Sequence, residues 1–182
     1  MATKTQGRLC LWQLCQLLLF SAGVMSLDCN LLHHQQSKFN RYSLQLLQKT
    51  GRSFPLECLG DLTAFQFPEK VLKHKFPQHA QMAAHEILQQ LFGIFSRNLL
   101  QTRWEKGDVE LFRNGLHLQT KHLEKCLSTK GGRPILRLKR YFQRIKDFLE
   151  KKKYSTCAWE TVRLEAQRCF LYMDKLTVMM KN

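Results

Sequence analysis

The sequence predicts an all-α protein, an up-up-down-down bundle of five helices with a long first crossover loop. Apolar residues recur every three or four positions in five segments, which keeps them on one face of an α-helix. No segment shows the alternating pattern of a strand. One early connection, residues 51–76, is long for a compact domain. Long connections join helices that run parallel, whereas an up-down bundle needs only short loops.

Residues 1–26 have the pattern of a secretory signal peptide. A basic residue precedes the apolar run Leu9–Phe20, and small residues follow, with cleavage expected near Gly23 or Ser26. The run is shorter than the ~18 apolar residues that a membrane-spanning helix needs, and no other segment approaches that length. Residues 27–182 are therefore expected to form one secreted helical domain without membrane insertion.

Boundary signals separate the helices. The first helix is expected over residues 37–50 and ends at Gly51, and Pro77 opens the second. A loop at 98–101 precedes the third helix, and a break at 128–134 precedes the fourth. The residues expected in the core are Phe39, Tyr42, Leu46 and Leu47 in the first helix, Ala80, Ala84, Ile87, Leu91 and Ile94 in the second, Trp104, Phe112, Leu116, Leu123 and Leu127 in the third, and Leu138, Phe142, Ile145 and Leu149 in the fourth.

The fifth helix begins near Ser155 and carries a regular apolar seam. The seam consists of Trp159, Val162, Ala166, Cys169, Met173 and Leu176. Arg163, Glu165, Arg168 and Lys175 lie off the seam and are expected at the surface. The long connection is also expected to pack down through its apolar residues, which are Phe54, Leu56, Leu59, Phe65, Phe67 and Phe76.

Five cysteines remain after residues 1–26, an odd number for a protein in an oxidising compartment. Leaving one free and pairing the other four allows fifteen schemes. Cys157 and Cys169 would lie roughly 18 Å apart on one helix, and a disulfide needs Cα atoms within about 7 Å. These two therefore cannot bond. Cys169 lies on the apolar seam and is expected to be a buried free thiol.

The chain carries a formal net charge of +15, and the loss of residues 1–26 removes two basic residues and no acids, leaving +13. Such a charge implies acidic partners or weak binding to polyanions. A secreted protein rarely meets nucleic acid, so nucleic acid is not expected as a partner. Arg137, Arg140 and Arg144 share a stripe of the fourth helix. The stripe either binds a carboxylate-rich protein or a sulfated glycan, or merely aids solubility.

Catalytic and metal-binding motifs are not found in the sequence. His85-Glu86 begins a zinc-protease pattern, but Gln89 stands where the second histidine is required. No Gly-rich phosphate loop and no nucleophile elbow occurs. We therefore expect no metal, no cofactor and no enzymatic activity.

Two motifs near the C-terminus carry a family resemblance. The first is Tyr141-Phe142-Gln143-Arg144-Ile145, and the second is Lys152-Lys153-Tyr154-Ser155-x-Cys157-Ala158-Trp159-Glu160-x-Val162-Arg163-x-Glu165. Together they resemble the last two helices of type I interferons, closest to the alpha-like members. The short C-terminus resembles the limitin (zeta) branch. The resemblance covers about residues 28–178 and implies a secreted helical cytokine. It also implies two disulfides, which join Cys29 to Cys126 and Cys58 to Cys157.

The resemblance implies two receptor-binding faces. Leu59, Arg163 and Arg168 match positions that bind the high-affinity receptor chain in this family. Leu164 and Leu171 flank Arg168, and they either widen the core or form the centre of an interface, which the resemblance favours. The positions implied for the second receptor chain are Phe92, Arg113, His117, Lys139 and Arg140. The chain also departs from the family, because Leu62 stands where related interferons carry an arginine.

Two functions follow from these observations. By resemblance, the chain is a cytokine that bridges two chains of the interferon alpha/beta receptor and triggers JAK-STAT signalling, with antiviral, antiproliferative and immunomodulatory output. By composition alone, it is a cationic host-defence or glycan-binding helical protein that acts through charge. Binding by charge alone should collapse at high ionic strength, whereas an interface with apolar contacts should keep much of its affinity.

Overall fold

A computed structural model describes residues 29, 31–51, 53–73, 76–97, 99, 102–127 and 135–181. The predicted signal peptide and the predicted break at 128–134 lie outside these residues. The helices are α1 (Leu32–Thr50), a first 3-10 helix (Leu56–Asp61), a second 3-10 helix (Glu69–Lys73), α2 (Pro77–Phe95), α3 (Lys106–Cys126), α4 (Ile135–Lys151) and α5 (Thr156–Met179). No strand occurs among the described residues, which confirms the all-α prediction.

Side-chain contacts give the directions of the helices. Asn40 of α1 bonds to Thr177 of α5, and the Leu47 carbonyl of α1 accepts from Arg163 of α5, so these two helices are antiparallel. The other pairs that give directions are Gln36 with Gln119 and Lys49 with Asp108 between α1 and α3, and His85 with Glu124 and Phe92 with His117 between α2 and α3. Gln90 of α2 pairs with Lys146 of α4, and Arg97, two residues after α2, pairs with Glu150 of α4.

These pairs confirm the predicted topology. Helices α1, α2 and α4 run in one direction, and α3 and α5 run in the other. Taken in order, α1, α2, α3 and α5 are therefore up, up, down and down, with α4 inserted in the second crossover. The long connection between α1 and α2 crosses the bundle, and both of its 3-10 helices pack against α5.

Aromatic rings fill the core where α2, α3 and α5 meet. Trp159 is fully buried, and its ring centroid lies 5.8 Å from those of both Phe95 and Trp104. Phe112 contacts Phe95 at 4.9 Å and Phe170 at 5.9 Å. Every residue of the α5 seam is buried, as predicted. The expected helical position of Trp104 was wrong, because α3 begins two residues later at Lys106.

Gly115 allows α1 to approach α3 closely. A Cβ atom at this position would lie 2.7 Å from Cε2 of Phe39, which is closer than real Cβ contacts permit. A glycine inside a helix costs about 1 kcal/mol relative to alanine. The packing of Phe39 explains why the helix carries one here.

Some residues expected in the core are at the surface. Tyr42 is 45% exposed, Leu56 80%, Leu59 56% and Phe76 69%. The prediction that the long connection packs down holds for Phe65 and Phe67, which are buried. It fails for the two leucines because they share the outward side of a 3-10 helix, and for Phe76 because this residue is the N-cap before α2.

Candidate functional sites

Two leucines of the first 3-10 helix and the leucine that follows it form an exposed apolar row, which we call the leucine row. Leu56, Leu59 and Leu62 are each more than half exposed. Leu56 and Leu59 are one turn of a 3-10 helix apart, so they share one side, and Leu62 is the residue that ends this helix. Cys58 points the other way and is 2% exposed. Grouped exposed apolar side chains mark interaction surfaces.

The leucine row is fixed to the beginning of α5. The disulfide between Cys58 and Cys157 brings the two Cα atoms to 4.9 Å, as the resemblance implied. Lys152 Nζ lies 2.6 Å from Asp61 Oδ1, and Thr161 Oγ1 donates to the Asp61 carbonyl at 3.2 Å. The row is therefore held against the bundle rather than carried on a free loop.

A stripe of α5 also presents apolar and basic side chains to solvent. Leu164, Arg168 and Leu171 are spaced by four and three residues, which places them on one side of the helix. Leu164 is half-buried, the Arg168 side chain is 51% exposed and Leu171 is 56% exposed. We call these three residues together with the leucine row the loop–α5 face.

Arg163 lies beneath the loop–α5 face and not on it. Its side chain is 2% exposed, and both Nε and Nη2 lie 2.9 Å from Oε2 of Glu160. Its Nη1 donates to the Leu47 carbonyl at 2.9 Å. The expectation that Arg163 lies at the surface was wrong, because Glu160 and a backbone carbonyl satisfy its charge and donors in the interior. Glu165 is likewise buried, where it accepts from the Tyr141 hydroxyl.

The Arg163 guanidinium connects four parts of the chain. Besides the bond to α1, it lies against Gly51, where a Cβ atom would come within 2.4 Å of its Cζ. Its partner Glu160 also accepts from Trp104 Nε1 at 2.7 Å, which ties in the loop before α3. Gly51 therefore leaves the space that the guanidinium occupies. We infer that Arg163 positions the beginning of the long connection.

The residues expected to bind a second receptor chain lie on α2, α3 and α4, and we call this surface the α2–α3–α4 face. The rings of Phe92 and His117 meet at 5.3 Å, and the half-buried Arg113 lies one turn before His117. Lys139 and Arg140 are exposed on α4. The structure brings Phe92 and His117 together. The α2–α4 register places the two basic residues about two turns, or roughly 10 Å, further along the bundle.

The three arginines of the α4 stripe have different surroundings. Arg144 Nη2 donates to the carbonyls of Phe65 and Gln66 at 2.9 and 3.3 Å, so it braces the long connection. Arg137 and Arg140 remain exposed. Of the three predicted stripe residues, two are therefore available to a partner.

The described residues contain no cluster of histidine, cysteine or acidic side chains that could hold a metal ion. No helix of the described residues is long and apolar enough to span a membrane. Cys169 is a buried free thiol, as predicted from the seam, and it lies 3.2 Å from the Tyr141 hydroxyl.

Comparison with known proteins identifies the family. The interferon alpha/beta domain model matches residues 32–180. This chain is a type I interferon. It is 40% identical to interferon beta of Tachyglossus aculeatus aculeatus over 161 residues, which cover 83% of this chain and 86% of the relative. It is 33% identical to human interferon kappa, with 95% of each protein covered. Among solved structures, zebrafish interferon 1 has the same fold, with a TM-score of 0.70 at 22% identity over 82% of this chain and 98% of the other.

Membership in the family makes the chain a cytokine and not an enzyme. The relatives include interferons kappa, beta, epsilon, alpha and omega at 33–40% identity. The assignment to the limitin (zeta) branch stays a prediction.

Both Cys29 and Cys126 are disulfide-bonded. Peptide mapping under non-reducing conditions should recover them joined to each other. Cys169 should resist alkylation in the native protein, because burial raises the pKa of its thiol to about 12 and only the thiolate reacts. Recovery of Cys169 in a disulfide would contradict both assignments.

Proposed function

We propose that this interferon is secreted and bridges two chains of the interferon alpha/beta receptor, which triggers JAK-STAT signalling. Bridging brings the kinases bound to the cytoplasmic parts of the two chains together, and the interferon itself performs no chemistry. Antiviral, antiproliferative and immunomodulatory responses would follow. The observation that carries the proposal is the leucine row, fixed beside α5 by the Cys58–Cys157 disulfide.

The loop–α5 face has the composition of an interface centre. Leu56, Leu59, Leu62 and Leu171 supply exposed apolar area, and Arg168 lies among them with its side chain half exposed. Arginine is enriched among the residues that supply most of the binding energy of an interface, and the burial of exposed apolar area adds to that energy. We therefore assign the high-affinity receptor chain to this face, with Arg163 as a positioning residue beneath it.

The second receptor chain is assigned to the α2–α3–α4 face. This face is more polar than the first, with Phe92 and His117 in contact and Lys139 and Arg140 exposed nearby. Charged groups at the rim of an interface affect association more than final affinity. We expect this face to bind more weakly, so that the second chain is recruited only after the first is bound.

Single substitutions on the two faces should give different signatures. Arg168→Ala and Leu171→Ala should each weaken binding to the high-affinity chain by about 1–3 kcal/mol. Arg140→Glu should leave that binary affinity unchanged and still lower signalling. Binary affinities for each isolated receptor ectodomain, measured beside a signalling dose–response, test this assignment.

Leu111→Ala is the matched control for Leu171→Ala. Leu111 is 52% exposed, and it lies nearly opposite Arg113 on α3 because the two are two residues apart. Leu111→Ala should leave the binary affinities for both receptor ectodomains unchanged. Arg168→Ala also removes the ion pair with the buried Glu165, 3.4 Å away, so its melting temperature must be measured as well. Equal weakening of one receptor chain by Arg168→Ala and Arg140→Glu would contradict the two-face assignment.

Sulfated glycans are a second proposed partner, favoured by one specific observation. The chain carries a net charge of +15, and basic residues of the second 3-10 helix and α4 line an open groove. Binding of this kind would hold the secreted cytokine near cell surfaces. It adds to receptor bridging and does not replace it.

A further inference from the structure

An open groove of about 670 Å³ lies between the second 3-10 helix and α4. Its charged lining residues are Glu69, Lys70, Lys73 and Arg137. The three basic residues are exposed, and no ion pair among the described residues involves them. The described lining of the groove therefore carries a net positive charge.

Backbone geometry sets the positions of these three basic residues. Lys70 and Lys73 are three residues apart, so they share one side of the 3-10 helix. Arg137 lies seven residues before Arg144 on the same side of α4. Since Arg144 bonds to the Phe65 carbonyl, this side of α4 faces the long connection. The basic side chains thus stand on both walls of the groove.

The single acid of the groove is already engaged. Glu69 Oε1 accepts from the Tyr172 hydroxyl at 3.1 Å, and the Tyr172 ring stacks on Phe67 with centroids 3.9 Å apart. These contacts tie Glu69 to α5, on one side of the groove. An anionic ligand would meet three cations against one carboxylate.

We propose that this groove binds a sulfated glycan chain, with Lys70, Lys73 and Arg137 contacting its sulfate groups. A long polyanion can reach cations on two walls at once, and an open groove does not require its ends to be enclosed. Insertion into a lipid surface would need exposed apolar side chains, but Phe67 of the groove is only 8% exposed. The inference rests on the proposed glycan partner and is independent of receptor bridging.

Heparin is the probe that tests this site. The triple variant Lys70→Gln, Lys73→Gln, Arg137→Gln should bind immobilised heparin about tenfold or more weakly than the parent at physiological salt. If each cation releases about one counterion, the slope of log Kd against log salt should fall by about two to three. The matched control is the triple variant Lys38→Gln, Lys106→Gln, Lys125→Gln, which removes the same charge from exposed positions on α1 and α3. The control variant should keep nearly the same slope of log Kd against log salt as the parent.

Two further measurements separate this inference from its alternatives. If the two triple variants lost heparin affinity equally, the inference would be overturned, because binding would then depend on charge spread over the whole surface. The inference would also be overturned, in favour of a membrane surface, if the groove triple variant lost binding to vesicles that contain phosphatidylserine but kept its binding to heparin. Both variants should keep the parent affinity for the high-affinity receptor ectodomain. If no receptor binding were found for any form while the heparin result held, receptor bridging would fail and the glycan site would stand.

Discussion

Trp159→Ala should lower the free energy of unfolding by about 3–5 kcal/mol. The Trp159 side chain is fully buried and contacts the rings of Phe95, Trp104 and Tyr154. Alanine would lose these contacts and leave a cavity that rigid helices cannot fill. Denaturant unfolding, or the yield of secreted protein, would measure the effect.

The control for this substitution is Leu171→Ala on the same helix. Leu171 is 56% exposed, and exposed substitutions usually change stability by within about 0.5 kcal/mol. The two variants should therefore separate packing from receptor contact along α5. A Trp159→Ala protein as stable as its parent would contradict the seam of α5 as the centre of the core.

Arg163→Met should cost about 3–5 kcal/mol of stability, because it leaves the buried Glu160 carboxylate without its cation. Trp104 Nε1 would still donate to Glu160 Oε1, so one partner remains. The Leu47 carbonyl would lose the bond from Arg163, although Gln167 Nε2 also donates to it at 3.1 Å. The loss should appear as a lower midpoint in denaturant unfolding.

A double-mutant cycle with Glu160→Gln tests the cause of this loss. Glutamine can still accept from Trp104 but carries no charge, so the double variant should be more stable than Arg163→Met alone. If the second substitution added its own full cost, the loss would come from packing and not from an uncompensated charge. The same variants should weaken high-affinity receptor binding if Arg163 positions the long connection.

Helical periodicity predicted the buried seam of α5 correctly, because its apolar residues recur at three and four, but it left out the buried Ala158 and Phe170. It did not predict the burial of Arg163 and Glu165. Periodicity separates apolar from polar residues, whereas the burial of a charged side chain depends on partners that are distant in sequence. For Arg163 the Glu160 carboxylate is only three residues away, but the Leu47 carbonyl is 116 residues away, and Gly51 must lack a side chain to leave room for the guanidinium.

The leucine row is the opposite case, in which apolar residues that were not predicted as a site lie at the surface. Leu56 and Leu62 were missed as candidate site residues, and Leu56 was expected to be buried. In a 3-10 helix the period is three, so Leu56 and Leu59 share a side, and Leu62 is the residue that ends this helix. The spacing was visible in the sequence, but nothing local distinguishes a 3-10 helix from a loop with buried apolar residues. Leu62 is 55% exposed and adds to the apolar area of this row.

The candidate site was predicted mainly by resemblance and only partly by physical reasoning. Periodicity placed Arg168 off the α5 seam and left two roles open for Leu171, and the structure exposes both. The contact between Phe92 and His117 joins two helices, and no spacing within either helix predicts it. The use of Arg144 as a brace could not be predicted either, because its acceptors are backbone carbonyls of Phe65 and Gln66, about 80 residues earlier in the chain.

We propose that this interferon acts by bridging the two chains of the interferon alpha/beta receptor. The most direct measurement is a reporter of interferon-stimulated transcription in matched cells with and without the type I interferon receptor. We predict a dose-dependent response that requires both receptor chains and that falls for both Leu171→Ala and Arg140→Glu. A response of equal size in cells lacking either chain would contradict bridging and favour an action through charge alone.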